Sequence, residues 1–555
     1  MTPDTQRITV GELAVRFLEL QGTRAAFGVI SIHNMPILDA FHKRQTIRFV
    51  SARGEAGACN MADAYARVSG TLGVCVTSTG TGAGNAAGAL VEALTAGTPM
   101  LHLTGQIEAE YLDRDLGFIH EAPAQLAMLQ SVSKAALRIR DTATALATLR
   151  EAVRIARTPP CGPVSIEIPI DVQATLLDLP SDLATVDLVP LLAPIDHLDV
   201  LADKLSQAHR PMLWLGGGAR GASAAVARLV KLGFGVVTSV QGRGIVAEDD
   251  PVTLGSYNLQ KPVEDFYQTC DAMLVVGSRL RSNETLRYKL HLPQPLYRID
   301  ANALAHNRAY ASDYFVQGDA STALHALADR LEGRMQIDAD FHRDLRAARE
   351  KAGQQVDDAL GPYLALKSAL GALVDKRCWW VRDITLSNSM WGNRSPVLDN
   401  PRGGVHALGG GIGQGLAMGI GAAVANATHA LDRKTVVLAG DGGFMLNLGE
   451  LACAVQEKAE LVVVLMNDSC YGVIKNIQDD IYGSRHCYVD LVNPDFAALC
   501  GSLKLPHFRL TDPAQTAATL EQALQVRGGP VVVEVDMKAW GPFAAKFAGP
   551  ILRKN

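Results

Sequence analysis

The stretch that most constrains the fold of this chain runs from Thr435 to Gly472, TVVLAGDGGFMLNLGELACAVQEKAELVVVLMNDSCYG. Two continuous apolar runs, at 435–439 and 461–466, are typical of strands in a parallel sheet that is covered on both faces. Between them, apolar residues recur at helical spacing from Leu448, and Asn447 with Glu450 predicts a capping box. The stretch therefore predicts a strand–helix–strand unit with parallel strands.

Two carboxylates are expected to meet at one edge of this unit. Asp441 follows the first strand between Gly440 and Gly442, and Asp468 follows the second strand. Ligands of such sheets bind beyond the carboxyl ends of the strands. Carboxylate oxygens next to glycine backbone suit Mg²⁺ held together with a phosphate group. The alternative is a pair of ordinary turn aspartates, and the unit alone leaves both interpretations open.

The spacing of this unit resembles the motif of thiamine-diphosphate (ThDP) enzymes, in which Gly-Asp-Gly is followed by Asn-Asn. In that family the aspartate, the second asparagine and a carbonyl two residues later hold Mg²⁺ against the diphosphate. The resemblance implies that Asp441, Asp468 and the carbonyl of Cys470 bind the metal. Asp468 replaces the second asparagine. Its extra negative charge should make bound metal more important for cofactor binding.

Length and composition exclude several classes of protein. With 555 residues, 48% of them hydrophobic and 20% charged, the chain can form three or four globular domains. A net charge of -5 without a basic block argues against nucleic-acid binding, and no apolar run is long enough to span a membrane. Nine scattered cysteines without CxxC pairs, and a start that does not resemble a secretion signal, predict a cytoplasmic protein with reduced thiols.

The alternation of predicted strands and helices indicates three doubly wound α/β domains with parallel sheets. We place an N-terminal pyrimidine-binding domain at 1–170, a central Rossmann-like domain at 190–335 and a C-terminal diphosphate-binding domain at 360–540. Residues 171–200 are interpreted as a linker and 331–360 as a helical connector. The tail at 541–555 is either a lid or a packed terminus.

A glutamate in the first domain lies at a predicted strand-to-helix turn. Without a family, the simplest role for Glu55 is a helix cap. The run from Arg53 to Arg67 resembles the family segment RxExxAxxMAxxYAR, whose glutamate hydrogen-bonds the aminopyrimidine ring and promotes deprotonation of the thiazolium carbon. The resemblance implies this role for Glu55. The loop with Thr79, Gly80 and Asn85 resembles the family's TxGPGxxN and is expected to bind the cofactor.

Three polar residues near the same predicted sheet edge are substrate-pocket candidates: His33, Gln106 and His120. Histidine titrates near neutral pH and can exchange protons with a carbinol oxygen. In benzaldehyde lyase a histidine at the position matching His33 faces the thiazolium, whereas acetolactate synthases carry a small residue there and a glutamine near His120. The alternative for each histidine is an ordinary surface or core side chain.

The third domain supplies the predicted diphosphate site. Glycine N–H groups at a helix start can bind phosphate oxygens. In the family, the bulky residue at the position of Ile412 forces the cofactor into its bent conformation. The predicted cofactor-binding residues of this domain are Ser387, Asn388, Gly410, Ile412, Gly440, Asp441, Gly442, Gly443, Asp468, Tyr471 and Gly472.

The central domain contains a glycine triplet, Gly216–Gly218, after a predicted strand. It lacks the full GxGxxG spacing, so close packing against a helix is favoured over nucleotide binding. Acetolactate synthases bind FAD partly through a GMxGxHG-like stretch. The matching region here, 253–260, lacks the histidine and the second glycine. We therefore predict that the chain does not use FAD.

The resemblance spans nearly the whole chain and implies a ThDP- and Mg²⁺-dependent 2-oxo acid decarboxylase or carboligase, similar to acetolactate synthase and benzoylformate decarboxylase. One alternative is a carbon–carbon lyase or ligase that acts without decarboxylation, which His33 favours. Another is a catalytically silent regulatory subunit, against which the retained Glu55, Asp441 and Asp468 argue. Because the family's active site joins the first domain of one subunit to the third domain of another, a homodimer is the expected minimum and a homotetramer the expected state.

Overall fold

The computed structural model describes residues 6–374 and 378–547. They form three parallel α/β sheets and one short antiparallel pair, which confirms the predicted fold class. The sheets occupy residues 25–169, 211–317 and 378–536. Residues 1–5 of the first predicted domain, 375–377 of the third and 548–555 of the tail lie outside the described residues. Within the described ranges, no helix is long and apolar enough to cross a membrane.

The N-terminal sheet has six parallel strands in the order β3-β2-β4-β5-β7-β6, and its central strands are buried along their full length. The elements of this region are β1 (Arg7–Thr9), α1 (Val10–Leu20), β2 (Ala25–Gly28), α2 (Met35–Arg44), β3 (Arg48–Ser51), α3 (Glu55–Ser69), β4 (Gly73–Thr77), α4 (Thr81–Ala96), β5 (Met100–Gln106), α5 (Gln125–Val132), β6 (Ala135–Arg138), α6 (Thr142–Arg157), β7 (Pro163–Pro169), α7 (Ile170–Ala174) and β8 (Leu176–Asp178). Helices lie on both faces, so each face of the sheet is covered.

The predicted linker at 171–200 contains more regular structure than expected. Strand β8 pairs antiparallel with β1, with Arg7 opposite Asp178. The next helix begins at Ile195. The interpretation of the whole segment as a linker is therefore wrong at both ends, because a three-residue strand carries too few residues to show a periodicity.

The central sheet has five parallel strands in the order β10-β9-β11-β12-β13. Its elements are α8 (Ile195–Leu205), β9 (Pro211–Leu215), α9 (Ser223–Lys231), β10 (Gly235–Thr238), α10 (Lys261–Tyr267), β11 (Ala272–Val276), β12 (Leu296–Asp300), β13 (Tyr314–Gln317) and α11 (Ala320–Leu331). The predicted connector contains a long helix, α12 (Phe341–Asp358), whose apolar side packs onto the central domain.

The C-terminal sheet has six parallel strands in the order β15-β14-β16-β17-β19-β18. Its elements are α13 (Leu364–Leu373), β14 (Cys378–Arg382), β15 (Gly404–His406), α14 (Gly415–Thr428), β16 (Lys434–Gly440), α15 (Asp441–Leu446), α16 (Glu450–Gln456), β17 (Leu461–Asn467), α17 (Gly472–Ile481), α18 (Phe496–Ser502), β18 (His507–Leu510), α19 (Thr516–Gln525), β19 (Val531–Asp536) and α20 (Met537–Trp540). In the described part of the tail, the Phe543 ring stacks on Tyr363 at 4.1 Å, which favours a packed terminus over a lid.

The N-terminal and C-terminal sheets share one topology. Numbered from its own first strand, each sheet has the order 2-1-3-4-6-5. The helix that follows the second strand of each sheet, α3 or α14, packs against its counterpart, and one hydrophobic cluster spans both domains. A Cβ at Gly421 of α14 would lie 2.1 Å from the Met61 carbonyl oxygen of α3, so a glycine is required for this close approach.

The predicted capping box at Asn447 is wrong. The segment forms two short helices, α15 and α16, and Asn447 ends the first of them. Its Nδ2 donates to the Gly413 carbonyl at 2.6 Å. The Glu450 carboxylate accepts backbone N–H groups of Arg53 and Gly54 in the N-terminal domain. Tertiary partners therefore replace the local cap.

Candidate active site

A cavity of about 320 Å³ lies at the carboxyl edge of the C-terminal sheet. Loops that follow β14, β16 and β17 contribute to its wall. With the exception of Asn388, every residue that was predicted to bind the cofactor or metal from this domain lines the cavity. Asn388 begins a π-helical turn beside it, at 388–392. The residues of the separate sequence motifs of this domain thus line one cavity.

The two predicted metal-binding carboxylates both line this cavity. Burial raises the pKa of Asp441 to about 7, the Asn493 hydrogen bond opposes the rise, and the charge of Asp468 adds to it. Asn493 Nδ2 donates to Asp441 Oδ2 at 2.6 Å and to Asn467 Oδ1 at 3.1 Å. An uncompensated negative charge at this position is what a cation would neutralise. Sequence reasoning missed Asn493, which carries no local motif.

The glycine loop before α14 is held by a buried aspartate that sequence analysis did not single out. Asp383 accepts the N–H groups of Gly413 at 3.0 Å and Gly415 at 3.1 Å. Burial raises its pKa to about 6, although these hydrogen bonds act in the opposite direction. Gly410 and Gly413 have φ angles of 86° and 88°, in the left-handed region that favours glycine. Asp383 therefore fixes a loop whose shape requires its glycines.

A second group of predicted residues gathers at the carboxyl edge of the N-terminal sheet. Glu55 is the first residue of α3, and Asn85 Nδ2 donates to its Oε2 at 3.1 Å. A Cβ at Gly82 would lie 3.1 Å from Glu55 Oε1, so the loop passes close to this carboxylate. The helix-cap role is not observed for Glu55, because Gly54 occupies the N-cap position of α3.

The loop with Thr79 and Gly80 is fixed by a buried glutamine network. Thr79 Oγ1 lies 2.9 Å from the Oε1 atoms of both Gln106 and Gln125. Gly80 N donates to Gln125 Oε1 at 2.6 Å. Glu167, which is fully buried, accepts hydrogen bonds from Gln125 Nε2 at 3.0 Å and Gln106 Nε2 at 3.4 Å. Gln125 and Glu167 are positioning residues that only the tertiary structure reveals.

The predicted histidine pair is assembled at this edge. The rings of His33 and His120 lie 5.3 Å apart. His33 is buried, and its Nδ1 has no hydrogen-bond partner among the described residues. Burial and the nearby His120 lower the pKa of His33 below its ordinary value. His33 is therefore neutral at neutral pH and has an unused ring nitrogen.

The candidates fall into two separate groups. Among the described residues, the cavity of the C-terminal domain is lined only by residues of that domain, at 384–474 and at Met537. Within the described ranges, no recorded hydrogen bond joins Glu55, Asn85, His33 or Gln106 to a residue of its lining. One chain therefore presents two half-sites on domains of the same topology.

Family models match all three domains of the chain. Residues 8–130 match the N-terminal TPP binding domain of thiamine pyrophosphate enzymes, 198–327 the central domain and 387–535 the C-terminal TPP binding domain. The chain belongs to the thiamine pyrophosphate enzymes. This confirms the family that the motifs around Glu55 and Asp441 indicate.

Individual relatives agree with this assignment. The chain is 32% identical to the probable 2-ketoarginine decarboxylase AruI of Pseudomonas aeruginosa over 502 residues, which cover 89% of this chain and 88% of the relative. It is 27% identical to the acetolactate synthase isozyme 1 large subunit of Escherichia coli, with 97% of this chain and 95% of the relative covered. The chloroplastic acetolactate synthase of Arabidopsis thaliana is 26% identical, with 94% and 80% covered.

The C-terminal half-site fits the diphosphate end of ThDP. Ser387 lines the cavity, and its buried Oγ has no hydrogen-bond partner among the described residues. Bare glycine backbone surrounds the two carboxylates, and a Cβ at Gly472 would lie 2.5 Å from Asp468 Oδ2. No group of three or more His, Cys, Asp or Glu side chains in the described ranges could hold a metal by itself. Two carboxylates that need further oxygens suit Mg²⁺ bound together with a diphosphate.

The glycine triplet of the central domain serves close packing. A Cβ at Gly216 would lie 2.2 Å from the Gly277 carbonyl oxygen, and a Cβ at Gly218 would lie 2.9 Å from Gly277 Cα. The close neighbour is therefore the loop after β11, where packing against a helix was expected. A basic cavity of about 370 Å³, lined by Arg220, Arg279 and Arg298 among others, adjoins this loop. That the chain does not use FAD stays a prediction.

Proposed function

We propose that this chain is a ThDP- and Mg²⁺-dependent 2-oxo acid decarboxylase or carboligase. The observation that carries the proposal is the cavity in which Asp441, Asp468 and a glycine loop meet, together with Glu55 at the equivalent sheet edge of the N-terminal domain. The names of two relatives, a probable 2-ketoarginine decarboxylase and an acetolactate synthase, support a 2-oxo acid as substrate.

The C-terminal half-site would hold the diphosphate and its metal. Asp441, Asp468 and the carbonyl of Cys470 would bind Mg²⁺. Ser387 and the N–H groups of the glycine loop other than those that Asp383 accepts would bind phosphate oxygens. Ile412 lines the same cavity and is 39% exposed, so its side chain is available to press on a ligand. When bound, ThDP supplies the electron sink for loss of carbon dioxide from a 2-oxo acid.

The N-terminal half-site would supply the proton-transfer groups. Asn85 occupies Oε2 of Glu55, which leaves Oε1 to hold the proton that is exchanged with the pyrimidine ring. His33 lies next to His120, its Nδ1 has no hydrogen-bond partner among the described residues, and it would move a proton at the substrate oxygen. Gln106 is fixed by Thr79 and Glu167, so it would orient substrate without rearrangement.

A second copy of the chain would complete the active site. Because the two half-sites of one chain do not share a cavity, the N-terminal edge of one subunit would face the C-terminal cavity of another. We therefore propose a homodimer as the minimum and expect a homotetramer. A monomer with full activity in solution would contradict this arrangement. All nine cysteines are free, which supports a cytoplasmic location.

The His33–His120 pair favours a second candidate, a carbon–carbon lyase or ligase that acts on 2-hydroxyketones without decarboxylation. Such chemistry needs proton transfer at a carbinol oxygen, and the pair provides two imidazoles 5.3 Å apart. A regulatory subunit without catalytic activity would be favoured only if ThDP failed to bind.

Carbon dioxide release tests the proposal. The protein, reconstituted with ThDP and Mg²⁺, would be assayed with pyruvate and with longer aliphatic, aromatic, guanidino-bearing and carboxyl-bearing 2-oxo acids. Release from one of them supports decarboxylation, and an aldehyde or a 2-hydroxyketone product separates decarboxylase from carboligase. Cofactor binding without release from any of these acids would reject decarboxylation of this panel and favour the lyase.

A further inference from the structure

Glu450 of the C-terminal domain binds backbone that directly precedes Glu55. Its Oε1 accepts the N–H of Gly54 at 3.0 Å and of Arg53 at 3.1 Å, and its Oε2 lies 3.1 Å from the same Arg53 nitrogen. The side chain is 2% exposed, and burial raises its pKa above the ordinary value. The start of α3 is thus held by a carboxylate of the other half-site's domain.

Glu92 of the N-terminal domain makes the reciprocal contact. It lies on α4 and accepts the N–H of Leu408 at 2.6 Å and of Gly409 at 2.5 Å. These residues directly precede Gly410, which lines the diphosphate cavity together with Ile412. The Glu92 side chain is 1% exposed and also pairs with the Arg67 guanidinium at 3.1 Å.

Each contact depends on a glycine in the opposite domain. A Cβ at Gly57 would lie 2.1 Å from Glu450 Oε1, and a Cβ at Gly409 would lie 2.8 Å from Glu92 Oε2. The reciprocity follows the shared topology, since α3 and α14 pack against each other between the two contacts. Two matched carboxylate contacts therefore link the half-sites of one chain.

We propose that Glu92 and Glu450 are positioning residues, each of which holds the cofactor loop of the opposite domain, so that ligand binding at one half-site orders the other half-site of the same chain. This rests on the proposed function. If each active site combines halves from two subunits, the two contacts also connect neighbouring active sites.

The path through Glu450 is short. Asp441 begins α15, Glu450 begins α16 nine positions later, and Glu450 holds Arg53 and Gly54 next to Glu55. The path through Glu92 is similar, because α4 also carries Asn85, which hydrogen-bonds Glu55. A ligand that fixes the cavity should therefore slow opening of the hydrogen bonds at 53–54 as well as at 408–409.

Magnesium pyrophosphate is a probe that should occupy only the diphosphate half-site. Amide hydrogen exchange of the full-length wild-type protein would be measured by mass spectrometry, with and without the probe, in peptides that contain 53–57 and 406–412. We expect exchange in both segments to slow by about tenfold. In Glu450→Gln, slowing at 406–412 should persist and slowing at 53–57 should be lost.

Binding and turnover give a second readout. At fixed Mg²⁺, Glu92→Gln should raise the Kd of ThDP by about tenfold, because an amide cannot accept both N–H groups of the loop. Glu450→Gln should lower kcat by about tenfold at saturating ThDP with a smaller change in Kd. A matched control is Glu248→Gln in the central domain, whose carboxylate is also buried, also pairs with an arginine and accepts the backbone N–H of Leu398 in the C-terminal domain at 2.9 Å.

The outcomes separate this inference from the proposed function. If magnesium pyrophosphate binds to the wild-type protein but exchange at 53–57 is unchanged, the inference is wrong and the proposed function stands. If neither magnesium pyrophosphate nor ThDP binds, both are wrong. The wild-type measurement requires no variant, so a variant that fails to fold does not prevent the test. If Glu92→Gln and Glu450→Gln lose as much stability as the control but keep the wild-type Kd, kcat and exchange response, both glutamates have only a structural role.

Discussion

The N-terminal and C-terminal domains have the same strand order, but opposite kinds of chemistry occupy their carboxyl edges. The C-terminal edge presents glycine backbone and two carboxylates around an open cavity. The N-terminal edge presents a glutamate, histidines and glutamines, most of them fixed by side-chain hydrogen bonds. Topology thus determines where a site can form, and the residues at the edge determine what it binds.

The difference follows from the groups that each edge would bind. A diphosphate is bound by backbone N–H groups and a cation, so its half-site needs glycines that leave the backbone accessible. A heterocycle and a substrate carbonyl need donors and acceptors at particular positions, so the other half-site needs anchored side chains. Gly410 and Gln125 illustrate the contrast, because Gly410 exposes its backbone in the cavity and the Gln125 side chain fixes the backbone of Gly80.

The largest effect is expected from Glu55→Gln. The variant should lose about 10²–10⁴-fold in kcat because it removes the proton-transfer group of the N-terminal half-site. ThDP affinity should change little, since the diphosphate cavity is intact. Assays of turnover and calorimetric titration with ThDP would measure both quantities. Turnover at the wild-type rate in this variant would show that Glu55 of the N-terminal edge has no catalytic role.

Asp441→Asn should act on the other half-site and change affinity. We expect ThDP to bind about 100-fold more weakly in the presence of Mg²⁺, because one of two carboxylate ligands is lost. Turnover at saturating ThDP should fall less than in Glu55→Gln. Titration with ThDP at several Mg²⁺ concentrations measures the loss. An unchanged affinity would exclude Asp441 as a ligand of the metal.

In the absence of ligands, the folded state of the same variant should be more stable than that of the wild-type protein. The folded-state pKa of Asp441 is raised to about 7 by burial, from an ordinary value of 3.8. A raised carboxyl pKa means that the unfolded chain ionises first, so this group destabilises the fold as pH rises from about 4 to about 7. The Tm of Asp441→Asn should therefore be higher than the Tm of the wild-type protein at pH 8 and equal to it near pH 4. With saturating Mg²⁺ and ThDP, the wild-type protein should have the higher Tm at pH 8.

Asp468→Asn restores the asparagine of the family motif. It should change the affinity for ThDP by about tenfold. Removing one negative charge next to the diphosphate should strengthen ThDP binding when Mg²⁺ is absent. The ratio of ThDP affinities with and without Mg²⁺ should fall by about the same factor. ThDP titrations in chelator and in saturating Mg²⁺ measure this ratio. An unchanged ratio would show that the charge at 468 does not control the metal requirement.

Sequence patterns predict the parts of the site that lie within one loop. The strand ends at Asp441 and Asp468 and the start of α3 at Glu55 follow from local spacing. Partners that are far apart in the chain escape prediction: Asn493 lies 52 positions from Asp441, and Gln125 lies 46 positions from Thr79. The capping box fails for the same reason, since Glu450 finds its partners 397 and 396 positions away. Edge strands β6, β13 and β18 have only four residues each and are mostly half-buried, so they show no clear pattern.

The smallest effect is expected from Gln125→Met, which tests whether the N-terminal edge depends on side-chain anchors. The variant removes the acceptor of the Thr79 and Gly80 hydrogen bonds and leaves the volume of the side chain nearly unchanged. We expect KM for the 2-oxo acid to rise by about threefold to tenfold, because Thr79 and Gln106 lose a fixed position. ThDP affinity should also fall, but by less than in Asp441→Asn, because Thr79 and Gly80 are expected to bind the cofactor and the diphosphate cavity is intact. Gln130→Met on the same helix is the matched control, since Gln130 accepts a hydrogen bond only from Ala136 N at 3.2 Å in the described residues. If both variants change KM equally, the loop holds its shape without Gln125, and the two edges differ less than their contacts indicate.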